Sequence, residues 1–180
     1  MPDEATPKPW DKPVDGSSFH PDYPTEFKPS GIPGAGRGWF AKCKIPKGTR
    51  LRRVSIEEGT LLRFGSMDEL KATGWDVDET VHYGIGHKND SDAIFFLNPG
   101  TACNHADPTR TASVGYNHEE VGALEIWTLQ DVAEGEEMFN IYTKDFPKVP
   151  WFDEYMKSKD LVPLTYLGEQ IDEMVQKATA

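Results

Sequence analysis

Asn104 and His105 form a polar pair that is a candidate for chemistry in this chain. Small residues flank the pair, and Asp107 and Pro108 follow it closely. Both side chains of the pair can donate and accept hydrogen bonds, so they suit a ligand that presents donors and acceptors together. An isolated Asn-His pair is also typical of an ordinary loop, and both interpretations stay open here.

A glycine-rich run at residues 34–38 lies about seventy residues before the polar pair. A dinucleotide-binding loop needs Gly-x-Gly-x-x-Gly after a strand, but Trp39 stands where the third glycine should be and Pro33 precedes the run. A phosphate loop does not fit either, because no Gly-Lys-Ser/Thr follows. Taken alone, the run predicts a flexible turn.

The segment Gly-Glu-Glu-Met-Phe-Asn-Ile-Tyr at residues 135–142 begins about thirty residues after the polar pair. An ordinary hairpin would also explain it, with Val132 and Met138 buried and the glycine turning the chain. Tyr142 ends this segment, and Tyr83 lies in a second short motif, His-Tyr-Gly-Ile. For Tyr83, a place in the core is an equally good interpretation.

Histidines and cysteines are scattered through the same region and raise the question of a metal site. The five residues concerned are His82, His87, Cys103, His105 and His118. Their spacings match no standard zinc pattern, so we interpret them as loop residues and predict no metal.

Together, the order and spacing of these motifs resemble the SET domain, a family of lysine methyltransferases that uses S-adenosylmethionine. Residues 36–41, followed by the turn at 45–48, are similar to the opening of that family. The Asn-His pair and the segment 135–142 resemble its two later motifs. The resemblance covers roughly residues 31–144, and the chain looks like a small stand-alone member without cysteine-rich zinc flanks.

The resemblance implies roles for individual residues. Tyr142 matches the tyrosine at the methyl-transfer pore, and Tyr83 resembles a second tyrosine that lines the channel for cofactor and lysine. The family uses glycines in the first motif because a Cβ would keep the backbone from the cofactor. The aromatic segment 146–155 is our candidate for closing the cofactor pocket. Residues to which we therefore assign cofactor binding are Gly36, Arg37, Gly38, Trp39, Asn104, His105 and Trp151.

Short strands are the elements that must position these motifs. The apolar patterns predict strands over residues 51–56, 94–97, 114–116 and 123–129, and helices over 151–158 and 164–177. Ser66 and Glu69 form a capping box for one further short helix, which Gly74 ends. The pattern predicts a mainly β fold with short helical inserts and C-terminal helices. The resemblance specifies a SET-type β-clip fold with knot-like threading of the C-terminal motifs.

Three segments divide the chain in this interpretation. Residues 1–30 contain 7 of the 14 prolines and form an N-terminal arm, laid partly on the domain through its aromatic residues. Residues 31–146 form the SET-like catalytic domain, and residues 147–180 form a C-terminal helical segment that closes the cofactor pocket. The aromatic residues of the arm are Trp10, Phe19, Tyr23 and Phe27.

Composition narrows the class of partner. Acidic residues outnumber basic ones 30 to 19, which gives a formal charge of -11. Such a surface repels phosphate and argues against direct nucleic-acid binding. It attracts a basic protein or peptide, histone tails among the candidates, although the charge could equally serve solubility alone.

Two cysteines cannot build a disulfide framework, and the chain has no run of about twenty apolar residues and no signal-peptide core. We therefore expect an intracellular protein, nuclear or cytoplasmic, that does not cross a membrane. Its expected activity is methyl transfer from S-adenosylmethionine to a lysine ε-amine of a protein. The alternative is a non-catalytic module that keeps the SET fold and binds a basic partner. The oligomeric state stays open.

Overall fold

The protein is described here by a computed structural model that covers residues 18–98, 100, 103–118 and 120–179. Ten strands lie within these ranges: β1 Thr25–Pro29, β2 Arg37–Ala41, β3 Arg50–Ser55, β4 Leu61–Phe64, β5 Ile85–His87, β6 Asp90–Leu97, β7 Asn104–His105, β8 Val114–Asn117, β9 Ala123–Thr128 and β10 Glu137–Asn140. The helices there are α1 Met67–Lys71, α2 Val77–Thr80, a 3-10 turn at Val81–Tyr83, α3 Tyr142–Asp145, α4 Pro150–Ser158 and α5 Leu164–Thr179.

The strands form three small sheets, with the strand orders β1-β2-β10-β7, β3-β9-β8 and β4-β6-β5. All pairings are antiparallel except that of β7 with β10, which is parallel and aligns Asn104 with Phe139 and His105 with Asn140. The first sheet therefore brings together three parts of the chain: the glycine-rich run before β2, the polar pair in β7, and the Gly-Glu-Glu segment that leads into β10.

The prediction of a mainly β fold with short helical inserts and C-terminal helices is confirmed. The four predicted strands correspond to β3, β6, β8 and β9, and the two predicted C-terminal helices correspond to α4 and α5. The Ser66 hydroxyl caps α1, because it accepts a hydrogen bond from the Glu69 backbone N–H at 3.3 Å. Gly74, just beyond that helix, has a φ of 74°.

Two apolar clusters stabilise these layers. The larger one draws on all three sheets and includes Trp39, Val54, Ile126 and Met138, all of them fully buried. The smaller one holds α4 against β6 through Phe96 and its neighbours. Each cluster contains several large side chains, and burying one such side chain contributes about 1.5–3 kcal/mol. The site is therefore carried by a firmly packed scaffold.

Residues 18–30 of the predicted arm lie against the larger cluster. Strand β1 pairs along its full length with β2, and Phe19 pairs with Arg52 through an isolated β-bridge. Phe19, Tyr23 and Phe27 all pack on the cluster, whereas Trp10 lies outside the described residues. The division of the chain at residues 30 and 146 stays a prediction.

Within the part of the chain that the structure describes, no helix is both long enough and apolar enough to cross a bilayer.

Candidate functional site

A cavity of about 760 Å³ opens beside the first sheet. Its walls come from the loop before β2, the 3-10 turn, strands β5 to β8, and helices α3 and α5. Polar and ionisable residues in the lining are Arg37, His82, Tyr83, Cys103, Asn104, His105, Asp107, Tyr116 and Tyr142. Apolar residues in the lining include Phe27, Ile32, Ile85, Phe96, Leu97, Phe146, Val162, Leu164, Leu167 and Ile171.

The glycine-rich run forms a closed loop between β1 and β2. Its ends meet through a hydrogen bond of 2.9 Å from the Ser30 N–H to the Gly36 carbonyl. Gly34 and Gly36 have φ values of 80° and 72°, in the region that side chains with a Cβ rarely adopt. A Cβ at either position would meet no atom of the protein within 4 Å, so backbone conformation is what requires glycine there.

Glu137 holds this loop in place through hydrogen bonds. Its buried carboxylate accepts hydrogen bonds from the Ser30 hydroxyl at 2.7 Å, from the Gly31 N–H at 2.8 Å and from the Asn104 amide at 3.0 Å. A Cβ at Gly38 would lie 2.1 Å from the Glu137 Oε1, so Gly38 is required for the carboxylate to fit. Because three donors surround it, the carboxylate can be buried at acceptable cost.

Sequence reasoning did not single out Glu137. Its role depends on donors that lie 106 and 107 residues away in the chain. The available signal was the second glutamate of Gly-Glu-Glu in a segment that was otherwise expected to be half-buried, since a buried carboxylate needs donors.

Asn104 lies at the junction of the loop and β7. Its side-chain Nδ2 donates to the Arg37 carbonyl at 3.0 Å, to Glu137 and to Ser30. The amide N–H groups are therefore used within the protein. A ligand in the cavity would therefore meet the carbonyl oxygen of the Asn104 side chain rather than its N–H groups.

His105 is buried and uses both ring nitrogens within the protein. Nδ1 accepts a hydrogen bond of 3.1 Å from the Tyr142 backbone N–H, and Nε2 lies 3.0 Å from the Asp172 carboxylate on α5. Because Nδ1 is an acceptor, the ring proton is on Nε2 and is donated to Asp172. His105 thus links the start of α3 to α5, and its ring edge borders the cavity.

Tyr142 is buried at the start of α3, with its ring 5.1 Å from that of His105. Its hydroxyl donates to the Cys103 carbonyl at 3.0 Å. Burial raises the pKa of Tyr142 well above its ordinary value of about 10, so the phenol stays neutral at physiological pH. Tyr142 can accept a hydrogen bond from an amine in the cavity, but it cannot act as a phenolate base.

Cys103 also lines the cavity, and its thiol donates to the Met138 carbonyl at 3.3 Å. Burial raises the pKa of the Cys103 thiol well above its ordinary value. A neutral thiol is a poor nucleophile, so the arrangement does not suit covalent catalysis by this cysteine.

The structure brings six of the predicted site residues to the cavity wall: Gly36, Arg37, Tyr83, Asn104, His105 and Tyr142. Three others do not line it. Trp39 is fully buried between Phe19 and Phe27, with ring centroids 6.2 and 6.1 Å away, and Gly38 faces Glu137.

Trp151 also lies away from the cavity. Its indole N–H donates to the Asp92 carbonyl at 2.9 Å, and its ring packs beside Phe152 in the smaller cluster. The aromatic segment 146–155 was our candidate for closing the cofactor pocket, and that role stays a prediction. Within that segment only Phe146 lines the cavity, and the C-terminal wall is made mainly by α5. Aliphatic side chains at helical spacing, rather than aromatic ones, provide that wall.

Among the described residues, no group of three or more His, Cys, Asp or Glu side chains is arranged to hold a metal ion. His87 and His118 instead form a buried pair of rings 4.8 Å apart.

Comparison with solved structures finds similar chains. One belongs to Chaetomium thermophilum Polycomb Repressive Complex 2 in an autoinhibited conformation bound to S-adenosylmethionine. It is 17% identical, has a TM-score of 0.47, and the match covers 77% of this chain and 17% of that one. A candidate histone methyltransferase of Plasmodium falciparum is 14% identical with a TM-score of 0.47, and the match covers 66% of this chain and 91% of that one.

A chain of an active Polycomb Repressive Complex 2 in the stimulated state is 20% identical, with a TM-score of 0.44 and coverage of 70% and 16%. This chain therefore spans less than a fifth of the Polycomb chains that it matches. No family model matches the sequence, and no curated protein matches it.

Proposed function

We propose that the protein transfers a methyl group from S-adenosylmethionine to a lysine ε-amine of a basic protein substrate. One observation carries the proposal. Arg37, Asn104 and Tyr142, from three motifs spread over about a hundred residues of sequence, line the same cavity. Chance placement of unrelated loops and strands does not explain that convergence well, whereas a shared ligand does.

The cavity fits such a cofactor in size and in chemistry. Its volume of about 760 Å³ lies within the range of 300–1,000 Å³ common for small-molecule sites. Aromatic and aliphatic side chains provide an apolar wall for an adenine ring, and the Arg37 guanidinium offers a cation to a carboxylate. Asn104 would add its carbonyl oxygen. When bound, the cofactor supplies an electrophilic methyl group on a sulfonium.

Tyr142 would orient the incoming amine. Because its hydroxyl hydrogen is directed at the Cys103 carbonyl, its oxygen is available as an acceptor for an N–H of the lysine. Orientation of this kind matters in a direct displacement, since holding two reactants in line can be worth roughly 7–11 kcal/mol. The chain forms no covalent intermediate in this mechanism.

The apolar part of the wall would prepare the nucleophile. A lysine has a pKa of about 10.4 in water, so nearly all of it is protonated at neutral pH. Phe146, whose ring lies 5.8 Å from that of Tyr142, and Leu167 both line the cavity, and such a lining disfavours the ammonium form by desolvation. The pKa of the substrate amine falls as a result, and a larger fraction reaches the reactive, uncharged state.

The net charge of the chain supports the proposed substrate class, a basic protein. The formal charge of -11 favours encounter with a lysine-rich segment, and a histone tail is one segment of this kind.

A second candidate function is the binding of a basic partner by a non-catalytic module. The observation that favours it is the internal use of polar groups at the site: the Asn104 amide and both His105 nitrogens already bond to the protein.

Titration calorimetry with S-adenosylmethionine separates the two functions. We expect saturable binding, followed by transfer of labelled methyl to a histone panel or to lysate proteins. The matched control is Tyr142→Phe, which keeps the ring and should keep binding while transfer falls. Absence of heat with protein that is shown to be folded would rule out the enzyme and leave the binding module.

A further inference from the structure

We infer that Asp172 is a positioning residue of the proposed site, because its carboxylate holds His105 and so keeps α5 closed over the cavity. The inference rests on the proposed function. Asp172 lies in the second half of α5, in a segment for which the sequence motifs assign no site residue.

Helix α5 is a wall of the cavity as well as a C-terminal helix. Leu164, Leu167 and Ile171 recur along one face of α5 and line the cavity. Movement of α5 away from the first sheet would open that wall and expose these side chains to water. The position of α5 therefore decides how well the cavity can enclose a small molecule.

Contacts at three positions along α5 hold this helix in place. At its start, the Thr165 hydroxyl donates to the Phe146 carbonyl at 2.7 Å. In the middle, a Cβ at Gly168 would lie 3.2 Å from the Tyr142 Cβ and 3.3 Å from the His105 Cε1. One turn further on, Asp172 accepts the hydrogen bond from His105 at 3.0 Å.

Gly168 allows α5 to approach Tyr142 and His105 closely. Glycine inside a helix costs about 1 kcal/mol relative to alanine, so a packing reason is expected for it. The reason here is contact with Tyr142 and His105, the two residues at the centre of the proposed site.

Asp172 is the last of these contacts along the helix. Beyond it, Glu173 and Met174 are exposed, and the Glu173 carboxylate bonds to Lys177 on the same helix at 3.3 Å. The imidazole ring of His105 joins Asp172 to Tyr142, because its other nitrogen accepts a hydrogen bond from the Tyr142 N–H. Asp172 thus accepts the hydrogen bond from the proton that His105 carries on Nε2, and through this ring it couples α5 to the backbone of Tyr142.

The test compares Asp172→Ala and Asp172→Asn with Glu173→Ala in the full chain. Glu173 is the matched control, because it is an acidic residue on the same helix that does not touch the sheet. S-adenosylmethionine binding is measured by calorimetry, amide hydrogen exchange is measured over α5, and the His105 Nε2 proton is followed by NMR. Thermal melting verifies that each variant is folded.

We expect Asp172→Ala to weaken binding between about two- and tenfold, as for loss of one hydrogen bond. It should also speed exchange in the second half of α5 and remove the slowly exchanging His105 proton signal. Asp172→Asn keeps an acceptor oxygen and should restore most of the affinity. Glu173→Ala should match the wild type in every measurement.

Wild-type affinity and wild-type α5 exchange in Asp172→Ala would overturn the inference while leaving the proposed function intact. Absence of cofactor binding by the folded wild type would refute the proposed function and, with it, any positioning role toward the cofactor. The two failures are therefore distinguishable in one set of measurements.

Discussion

The buried ring of His118 predicts a loss of stability in mild acid. His118 is only 4% exposed and packs edge-on against His87. Burial, together with the neighbouring His87 and Lys88, lowers the pKa of His118 from 6.5 to about 4. In the unfolded chain the ring returns to water and to its ordinary pKa.

The sign of the effect follows from where the proton binds first. The folded pKa lies below the unfolded one, so the unfolded chain takes up the proton first as the pH falls. The stability is fully present above the unfolded pKa of about 6.5, and it is lost as the pH falls toward about 4. Below that pH both states are protonated and the loss from this group is complete.

The magnitude comes from the same two values. The interval from 6.5 to about 4, at about 1.4 kcal/mol per pH unit, corresponds to about 3 kcal/mol in full. Most of it, about 2 kcal/mol, is lost between pH 7 and pH 5. For a protein with a typical free energy of unfolding of about 5–15 kcal/mol, such a loss is easily measured. Burial raises the pKa of Asp145, so the contribution of this carboxyl has the opposite sign and grows as the pH falls.

Urea unfolding at pH 7 and pH 5 measures the effect, with His118→Gln as the variant that cannot titrate. We expect the wild type to lose about 2 kcal/mol more than His118→Gln over this interval. Comparing the two pH dependences cancels both the packing lost in the variant and the contribution of Asp145. His82→Gln is the control, since the His82 side chain is exposed on the 3-10 turn. Identical pH dependences in the wild type and His118→Gln would refute the reasoning.

Three further predictions concern the site and its surface. Tyr142→Phe should leave cofactor affinity unchanged but slow single-turnover methyl transfer by about a hundredfold, because one orienting hydroxyl is lost; equal rates at equal occupancy would remove Tyr142 from the mechanism. Gly38→Ala should lower the free energy of unfolding by about 2 kcal/mol, since its Cβ would displace the Glu137 carboxylate from its donors. Gly31→Ala, whose Cβ would lie 3.4 Å from the same carboxylate, is the matched control in thermal unfolding and should be nearly silent. Turnover on a lysine-rich peptide should fall from low to physiological ionic strength, and a rate indifferent to salt would exclude electrostatic steering.

Local patterns in the sequence predicted the elements well. The capping box at Ser66 and the apolar stripe of α5 both involve residues within one or two turns of each other, so short-range rules suffice. The convergence of the three motifs on one cavity was anticipated from their resemblance to a known family. Without that resemblance, the spacing of the glycines at residues 34–38 predicts only a flexible turn.

Side-chain direction was harder to predict. Strand β2 buries Gly38, Trp39, Phe40 and Ala41 in succession, so no alternation of apolar and polar residues tells which side faces the cavity. Trp151 was assigned by its aromatic context, but its place on α4 turns it toward β6. Glu137 and Asp172 act through partners that lie far away in sequence, and such pairings appear only when the chain is folded.

Strand β7 has only two residues, and its parallel partner β10 lies 35 residues further along the chain. A pairing of this length cannot repay by itself the entropy of closing such a loop. Strand β7 must therefore join a β10 that is already ordered against β2. We expect the cavity to be among the last parts of the protein to form during folding and among the first to open in native-state fluctuations. A small molecule bound there would then lengthen the lifetime of the folded state by holding this late step closed.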